Sequence, residues 1–225
     1  RRKDGKHRKM VKKLGSAIQD NDHRNPMHKE TISYEAHGNL YLNITNRCSA
    51  DCIFCIRRTC DGVYGYDLRL SRDPSEEEIM RELENLNLTT YKEVVFTGFG
   101  EPTCRFDTVI RLTQWLHQGG IPVRLDTNGH AALICHGRNV VAELKAAGLT
   151  ALSVSLNAES EEKYNRMCRP VFEGSYQAML DFTKKAIMAG IRTRMTVVGQ
   201  QSIDIKECER IATVLGASFR VRSSL

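Results

Sequence analysis

Short β-rich runs alternate with amphipathic helical segments from residue 38 to the end of the chain. In the helical segments apolar side chains recur at a spacing of three to four residues, as Ile79, Leu83 and Leu86 do. Such alternation predicts parallel strands joined by right-handed crossovers. The six predicted strands are residues 39–45, 92–98, 122–128, 150–157, 192–199 and 218–224.

Within the predicted strands one face is apolar and the other is polar. A sheet covered by helices on both faces should show continuous apolar runs, which these strands lack. A closed barrel needs eight strands. The alternation therefore favours a partial (β/α)6 TIM-like barrel of parallel strands, in the α/β class, over an open doubly wound sheet. The polar positions assigned to its lumen include Asn43, Thr45, Arg124, Asp126, Ser153, Ser155, Asn157, Arg194, Arg220 and Arg222.

The start of the first helix has a recognisable capping pattern. We predict Asp73 as the N-cap, Pro74 at the first helical position and Glu76 at the third.

The net charge of +6 is concentrated at the N-terminus. Residues 1–13 contain eight Lys or Arg and one Asp, so the rest of the chain is close to neutral. We predict a basic extension or linker over residues 1–26 and a single core domain over residues 27–225. A basic segment can also contact RNA, which leaves an RNA-modifying enzyme as an alternative, although nucleic acid is not the expected partner of the core.

The apolar runs are too short for a membrane helix, which needs about 18 residues. No apolar segment follows the basic N-terminal residues, so they are not expected to form a signal peptide. We therefore expect a cytoplasmic protein without a membrane partner. The eight cysteines are expected to be reduced or metal-bound.

Three cysteines fall within the eight residues CSADCIFC, at positions 48, 52 and 55. They follow the first strand directly, at the carboxyl end where α/β barrels place their sites. Structural zinc takes four protein ligands, and a [4Fe–4S] cluster usually takes four cysteines. Three thiolates would leave one iron open to a cofactor or substrate. The alternative is a zinc-stabilised binding module in which Cys60 is the fourth ligand.

The next three strands also end in groups that can bind a ligand. The second ends in Thr97-Gly98-Phe99-Gly100-Glu101-Pro102, the third in Asp126-Thr127-Asn128-Gly129 and the fourth in Ser155-Leu156-Asn157. Glycines at a strand end permit close approach of a ligand to the backbone. These groups are predicted to share one mouth of the barrel.

The sequence from about residue 36 onward resembles the radical S-adenosylmethionine (SAM) enzymes. The likeness rests on the C-x3-C-x2-C triplet, with aromatic Phe54 before the last cysteine, and on the stretch Gly98–Pro102, which is similar to the family's glycine–glutamate motif. Fourth-strand positions resemble its ribose contacts, and Val197 and Val198 lie where the fifth strand packs near adenine. The stretches YLNITNRC, FTGFGEPTCR and YNRMCRP are most similar to the TatD-associated group.

The resemblance implies a [4Fe–4S] cluster held by Cys48, Cys52 and Cys55, with SAM chelating the fourth iron. It implies a 5′-deoxyadenosyl radical that abstracts hydrogen from a small molecule, and an electron donor such as flavodoxin or ferredoxin. Lyase activity on a deazapurine such as queuine is its narrowest implication. The implied SAM-binding residues are Phe54, Gly98, Gly100, Glu101, Asn128, Ser153, Ser155, Asn157, Arg169 and Val198.

The substrate is predicted to meet the polar lumen. Arginine in a pocket suits bidentate binding of carboxylate or phosphate, and Asp126 is a candidate acceptor for the amidine-like edge of a nucleobase. The predicted substrate residues are Asn43, Thr45, Arg124, Asp126, Arg220 and Arg222. Among the other cysteines, Cys208 falls in register with the apolar face of the last helix and is expected in the core.

Overall fold

The structure, a computed structural model, describes residues 30–223. The predicted basic extension over residues 1–26 lies outside this range. No helix in the described range is long and apolar enough to cross a membrane.

The strands are β1 Ser33–Ala36, β2 Asn39–Asn43, β3 Gly62–Val63, β4 Tyr66–Asp67, β5 Val94–Thr97, β6 Val123–Thr127, β7 Ala151–Ser155, β8 Arg192–Val198 and β9 Ser218–Arg222. Seven of them form one large sheet in the order β1-β2-β5-β6-β7-β8-β9, while β3 and β4 form a separate small hairpin. Within the large sheet β1 runs antiparallel to β2, and all the other neighbouring strands are parallel. The sheet is not closed, which agrees with the predicted partial barrel.

Helices lie between the parallel strands, so each crossover returns the chain to the same edge of the sheet. The helices are α1 Glu76–Glu84, α2 Phe106–Gln118, α3 Ala131–Ile134, α4 Val140–Ala146, α5 Glu161–Cys168, α6 Ser175–Met188 and α7 Ile205–Leu215. The six predicted strands correspond to β2, β5, β6, β7, β8 and β9, and their carboxyl ends share one edge.

The sheet is not wholly parallel as predicted, because it contains the antiparallel strand β1, which was not predicted. The two residues between β1 and β2 are His37 and Gly38, whose φ angles are 54° and 76°. Positive φ at both central residues is typical of a type I′ turn, which joins antiparallel strands tightly. The strand itself, Ser-Tyr-Glu-Ala, is too short and too polar to carry a periodic signal.

The first helix begins two residues later than predicted. Ser75 is the N-cap: its hydroxyl accepts from Glu78 N–H (3.2 Å), and the Glu78 carboxylate accepts from Ser75 N–H (2.6 Å). This reciprocal pair is a capping box. The predicted cap, Asp73, instead accepts a hydrogen bond from Arg47 Nε at 3.0 Å. The acidic side chain is thus used to hold the segment that leads to Cys48.

The larger of two apolar clusters separates the sheet from the helices and confirms most of the predicted alternation. Leu42, Leu125 and Val154 are buried in it, on the face opposite the polar positions. Cys208 is also buried there, as predicted. The last strand departs from the pattern because it lies at an edge: Val221 remains 44% exposed. The polar face of the parallel strands is therefore turned away from the helices.

Candidate functional site

The cysteine loop, residues 46–55, leaves the carboxyl end of β2. Cys48, Cys52 and Cys55 are each partly buried and have free thiols. A short 3-10 turn, Ile56–Arg58, follows the last of them. The loop therefore presents three thiols at the carboxyl edge of the sheet, where α/β barrels bind their ligands.

The glycine-rich stretch after β5 fixes the beginning of the cysteine loop. Gly100 N–H donates to Thr45 O (3.0 Å), and Glu101 N–H donates to Arg47 O (2.8 Å). Satisfying these backbone groups holds the segment before Cys48 in one conformation.

Gly98 and Gly100 are required at this contact by space. A Cβ on Gly98 would lie 2.2 Å from Asn43 Oδ1, and one on Gly100 would lie 2.4 Å from the carbonyl oxygens of Thr45 and Arg47. The two glycines thus let the strand end approach the cysteine loop, which is a use of glycine at close backbone contacts. Their predicted contact with SAM stays a prediction.

The other side of the loop pairs with the chain after α5. Ile53 N–H donates to Met167 O (2.9 Å), and Val171 N–H donates to Ser49 O (2.9 Å). Between them Arg169 adopts the left-handed region, with φ of 45°, and its side chain is exposed. The loop is therefore held by backbone hydrogen bonds along both flanks, and the predicted SAM contact of Arg169 stays a prediction.

The Glu101 carboxylate joins the ends of two strands. It is buried and accepts from Thr103 N–H (3.0 Å), the Thr103 hydroxyl (2.7 Å), the Thr127 hydroxyl (2.8 Å) and Asn128 N–H (2.7 Å). Burial raises the pKa of Glu101, and the hydrogen bond from Asn128 N–H is the largest opposing effect. The side chain thus has a structural function beside its predicted cofactor contact.

A buried row of polar side chains continues from Asn128. Its Nδ2 donates to Ser49 Oγ (2.9 Å) and lies 3.9 Å from Cys48 Sγ. His130 contacts Ser49 Oγ through Nδ1 (2.9 Å) and the Tyr164 hydroxyl through Nε2 (2.7 Å). Ser49, His130 and Tyr164 are all buried. These side chains connect the cysteine loop to β6 and α5.

Burial also affects the thiols. It raises the pKa of Cys48 to about 12, with the nearby Glu101 carboxylate as the next cause. The pKa of Cys52 is raised first by a hydrogen bond with the Cys168 side chain and then by burial. Neutral thiols are the metal-free form of such a site, because a coordinating metal deprotonates its thiol.

The structure does not bring Cys60 into a four-thiolate site. Cys60 is exposed, and its Sγ lies 3.5 Å from Ile56 O. Among residues 30–223 no group of three or more Cys, His, Asp or Glu is arranged to hold one metal ion. The zinc-stabilised module predicted as an alternative therefore has no preformed site in the described chain.

The donor set fits an iron–sulfur cluster in its chemistry. Soft thiolates select such clusters, and the thiolates of a cubane bind different irons, so they need not surround one ion. Arg57 Nε contacts Cys55 Sγ at 3.4 Å, and Asn128 approaches Cys48. Donors directed at thiolates are the outer contacts that tune such clusters. Cys48, Cys52 and Cys55 would hold it.

Two residues predicted to face a substrate are buried, and their side chains hydrogen-bond to the backbone. Asn43 Nδ2 donates to Thr31 O (2.9 Å) and Leu68 O (2.8 Å), and its Oδ1 accepts from Phe99 N–H (3.3 Å). Thr45 Oγ1 likewise accepts from Arg47 N–H (3.0 Å) at the start of the cysteine loop. The polar atoms of Asn43 and Thr45 thus support the backbone around the loop, and their predicted substrate contacts stay predictions.

Phe54 packs against the apolar core and is half-buried. This contact explains its apolar character without a ligand. A contact between its ring and a cofactor stays a prediction.

The carboxyl ends of β7 and β8 line the part of the lumen that lies nearest the mouth of the barrel. The Ser155 hydroxyl accepts from Arg222 Nη2 (3.4 Å), and Val198 is paired with Arg222 across the strands. Asn157 is buried and adopts the left-handed region, with φ of 59°. These residues and the exposed Arg220 share the edge that carries the cysteine loop. Their predicted contacts with SAM or substrate stay predictions.

One register layer lies deeper in the lumen. Asp126 is paired with Ser153, and Ser153 with Arg194 on the next strand. Burial raises the pKa of Asp126, and the neighbouring Arg124 is the largest opposing effect. Asp126 on β6 and Arg194 on β8 thus lie at one level of the sheet, with Ser153 of the intervening strand β7 between them.

Arg124 does not reach the mouth. It lies near the amino end of β6, where its Nε is 3.0 Å from Glu93 Oε1 and its Nη1 is 3.2 Å from Asp126 Oδ1. Its side chain is only 10% exposed. Two carboxylates thus pair with its guanidinium, and the predicted substrate function of Arg124 stays a prediction. A cavity of about 190 Å³ at this end is lined by Glu93, Arg124, Ala151, Leu152, Arg192, Arg194 and Ser218.

Comparison with known proteins agrees with this arrangement. Residues 42–214, which include the cysteine loop and most of the parallel sheet, match the radical SAM superfamily. The chain belongs to the radical SAM superfamily. Members of this superfamily are enzymes that use a [4Fe–4S] cluster and SAM.

Curated relatives give the chain a wider context. It is 31% identical over 157 residues to the GTP 3′,8-cyclase of Lactiplantibacillus plantarum, which covers 69% of this chain and 43% of that protein. It is 25% identical over 195 residues to the Fe-coproporphyrin III synthase of Methanosarcina barkeri, covering 84% and 46%. The chain spans about half the length of the curated relatives it matches.

The fold also resembles that of solved radical SAM proteins. Streptococcus suis SuiB bound to S-adenosylmethionine superposes with a TM-score of 0.63 at 17% identity, over 82% of this chain and 40% of that chain. Methylornithine synthase gives 0.58 at 16% identity, over 83% and 53%. These similarities show the shared fold. They do not show the TatD-associated group, so that narrower placement of this radical SAM chain stays a prediction.

Ser49, His130 and Tyr164 were not predicted as residues of the site. The stretch Thr127-Asn128-Gly129-His130 ends a strand in polar residues, which is a weak signal for His130. Ser49 stands between two predicted ligands, and Tyr164 occupies a core position of α5. Only the tertiary contacts bring the three together.

We expect Gly100→Ala to displace the cysteine loop, because its Cβ would meet two backbone carbonyls at 2.4 Å. The free energy of unfolding in urea should fall by about 1–3 kcal/mol, and maleimide should label Cys48 faster. Gly119→Ala is the control: φ there is −78°, and the nearest atom to its Cβ lies at 3.4 Å. Equal behaviour of the two variants would contradict the packing function of Gly100.

The burial of His130 predicts a dependence of stability on pH. Burial lowers the pKa of His130 from 6.5 to about 4, so the unfolded chain binds the proton more tightly. The stabilising effect of neutral His130 is present above pH 6.5 and is lost as the pH falls towards 4. Between pH 7 and pH 5 the metal-free chain should lose about 2 kcal/mol more than His130→Gln. If urea unfolding shows that both proteins lose the same free energy of unfolding between the two pH values, this prediction is refuted.

Proposed function

We propose that this chain contains the catalytic core of a radical SAM enzyme in which Cys48, Cys52 and Cys55 each bind one iron of a [4Fe–4S] cluster. The observation that carries the proposal is the cysteine loop itself. It presents three partly buried thiols at the carboxyl edge of the sheet and is held along both flanks by backbone hydrogen bonds. With only three thiolates from the triplet, the fourth iron is left for SAM.

When bound, the cluster and SAM supply one-electron cleavage of the S–C5′ bond and a 5′-deoxyadenosyl radical that abstracts hydrogen. The chain supplies position and exclusion of water. Glu101 and Asn128 align the strand ends beside Cys48. The residues proposed to surround SAM are Phe54, Gly98, Gly100, Glu101, Asn128, Ser153, Ser155, Asn157, Arg169 and Val198.

We propose that the substrate is a small anionic molecule. Arg220 and Arg222 lie on the last strand at the mouth, and Arg194 lies below them. Guanidinium groups suit phosphate and carboxylate because they donate two parallel hydrogen bonds. GTP, which names one curated relative, is such an anion. The electron would come from a reductant such as flavodoxin or ferredoxin.

A lyase acting on a deazapurine such as queuine is the narrower alternative. It depends on the sequence resemblance to the TatD-associated group and on Asp126 as an acceptor for a nucleobase edge. Asp126 is engaged by Arg124, so a base would compete with an ion pair. The anionic substrate is therefore favoured.

Replacing Cys48, Cys52 and Cys55 with alanine should abolish cluster binding, because each cysteine supplies one iron ligand. After anaerobic reconstitution with iron and sulfide, the unaltered chain should absorb near about 400 nm from thiolate and sulfide charge transfer. It should then convert SAM to 5′-deoxyadenosine in the presence of dithionite.

Cys208→Ala is the matched control, since that thiol is buried in the core far from the loop in the chain. It should retain the absorbance. If the chain instead binds one zinc ion tightly and lacks the iron–sulfur absorbance band, the proposal is overturned and the zinc-binding alternative is restored.

Arg220→Gln and Arg222→Gln should each raise KM for an anionic substrate at least about tenfold, since one charge-assisted contact contributes roughly 1.5–3 kcal/mol. The assay is formation of 5′-deoxyadenosine with GTP, and separately with queuine, beside a no-substrate blank. Arg192→Gln is the control, because Arg192 lies at the amino end of β8 and is 78% exposed. Stimulation by queuine alone, unaffected by the arginine variants, would exclude the anionic substrate in favour of the lyase.

A further inference from the structure

The row Asn128–Ser49–His130–Tyr164 has no assigned function in the chemistry proposed above. It crosses three elements of the site: the cysteine loop, the end of β6 and helix α5. Ser49, His130 and Tyr164 are almost completely shielded from solvent. Buried polar side chains are costly unless they are mutually satisfied. The row therefore maintains a defined geometry at the one place where it meets Cys48.

The donors and acceptors of the row can be assigned from one end. Asn128 Nδ2 donates to Ser49 Oγ, and the Ser49 hydroxyl has a single proton, which it can give to His130 Nδ1. In this assignment the ring proton of His130 lies on Nε2 and is donated to the Tyr164 hydroxyl. Burial lowers the pKa of His130 to about 4, which keeps the ring neutral.

Asn128 is fixed at both ends of its amide. Its Oδ1 accepts from His130 N–H (3.0 Å), while its Nδ2 faces Ser49 Oγ (2.9 Å) and Cys48 Sγ (3.9 Å). The acceptor on one side and Ser49 on the other exclude the flipped amide. The N–H group is thus held towards the Cys48 sulfur.

We propose that Ser49, His130 and Tyr164 are positioning residues that hold the Asn128 amide against the sulfur of Cys48 and thereby raise the reduction potential of the cluster. The inference rests on the proposed function of Cys48 as a cluster ligand. A hydrogen bond to a ligating sulfur stabilises the more negative, reduced cluster, so it makes the cluster easier to reduce. One-electron reduction is the event that the chemistry of this superfamily needs.

The test is an anaerobic redox titration of the reconstituted protein without SAM, followed by electron paramagnetic resonance of the reduced cluster. Asn128→Leu removes the N–H donor with little change of shape. It should make the reduction equilibrium at least about tenfold less favourable, which is 59 mV for one electron. His130→Leu should shift the potential in the same direction, because Ser49 and Asn128 lose their support.

Conservative variants separate positioning from mere structure. His130→Asn keeps an acceptor for the Ser49 hydroxyl and should restore most of the potential lost in His130→Leu. Tyr164→Phe should cause a smaller negative shift. Tyr176→Phe is the matched control, because its ring packs beside Tyr164, with 5.5 Å between ring centroids, outside the row. It should leave the potential unchanged.

The outcomes distinguish this inference from the proposed function. If the unaltered chain binds no cluster, the assignment of Cys48 fails first, and the inference fails with it. If the cluster assembles and Asn128→Leu and His130→Leu have the unaltered potential, the positioning network is overturned while the radical SAM proposal stands. Should Asn128→Leu fail to assemble the cluster, Asn128→Ser replaces it, because serine is too short to reach both sulfur and Ser49.

Discussion

The carboxylate of Glu101, buried at the carboxyl edge of the sheet, is the interaction on which the arrangement of the site depends. It accepts hydrogen bonds from Thr103, which follows β5, and from Thr127 and Asn128 at the end of β6, so it joins two neighbouring strands beyond their last paired residues, Phe96 and Leu125. Its own backbone N–H holds Arg47 at the start of the cysteine loop. One residue thus connects the sheet, the loop and Asn128. Its burial has an electrostatic cost, which four hydrogen bonds offset.

The site follows from this constraint in a simple order. The parallel strands put their carboxyl ends at one edge, the glycines after β5 allow the cysteine loop to lie against that edge, and α5 closes the other flank. Hydrogen-bond donors and apolar side chains lie around the thiols, and the one carboxylate described beside Cys48, that of Glu101, already accepts four hydrogen bonds. Soft thiolates, rather than hard carboxylate oxygens, are thus the groups left to bind a metal at this edge.

Much of this architecture could be predicted because it is encoded locally. Alternation along β6 and β7, together with helical periodicity between strands, indicated a polar lumen and a parallel sheet. The spacing of Cys48, Cys52 and Cys55 indicated a metal or cluster site, and the resemblance to a known family supplied its chemistry. What could not be predicted has a common cause. Asn43, Thr45 and Arg124 are polar residues on the expected face, but alternation indicates the face and not the partner, and only the structure shows their tertiary contacts. The row through His130 was missed for the same reason, since its members are distant in sequence.

The two flanks of the cysteine loop are held by residues that come much later in the chain, at Gly100 and between Met167 and Val171. During synthesis the triplet therefore emerges long before the groups that shape it. A ribosome-bound chain ending before residue 171 has the thiols but lacks their second flank. The conformation of the cysteine loop is in this way coupled to completion of most of the barrel.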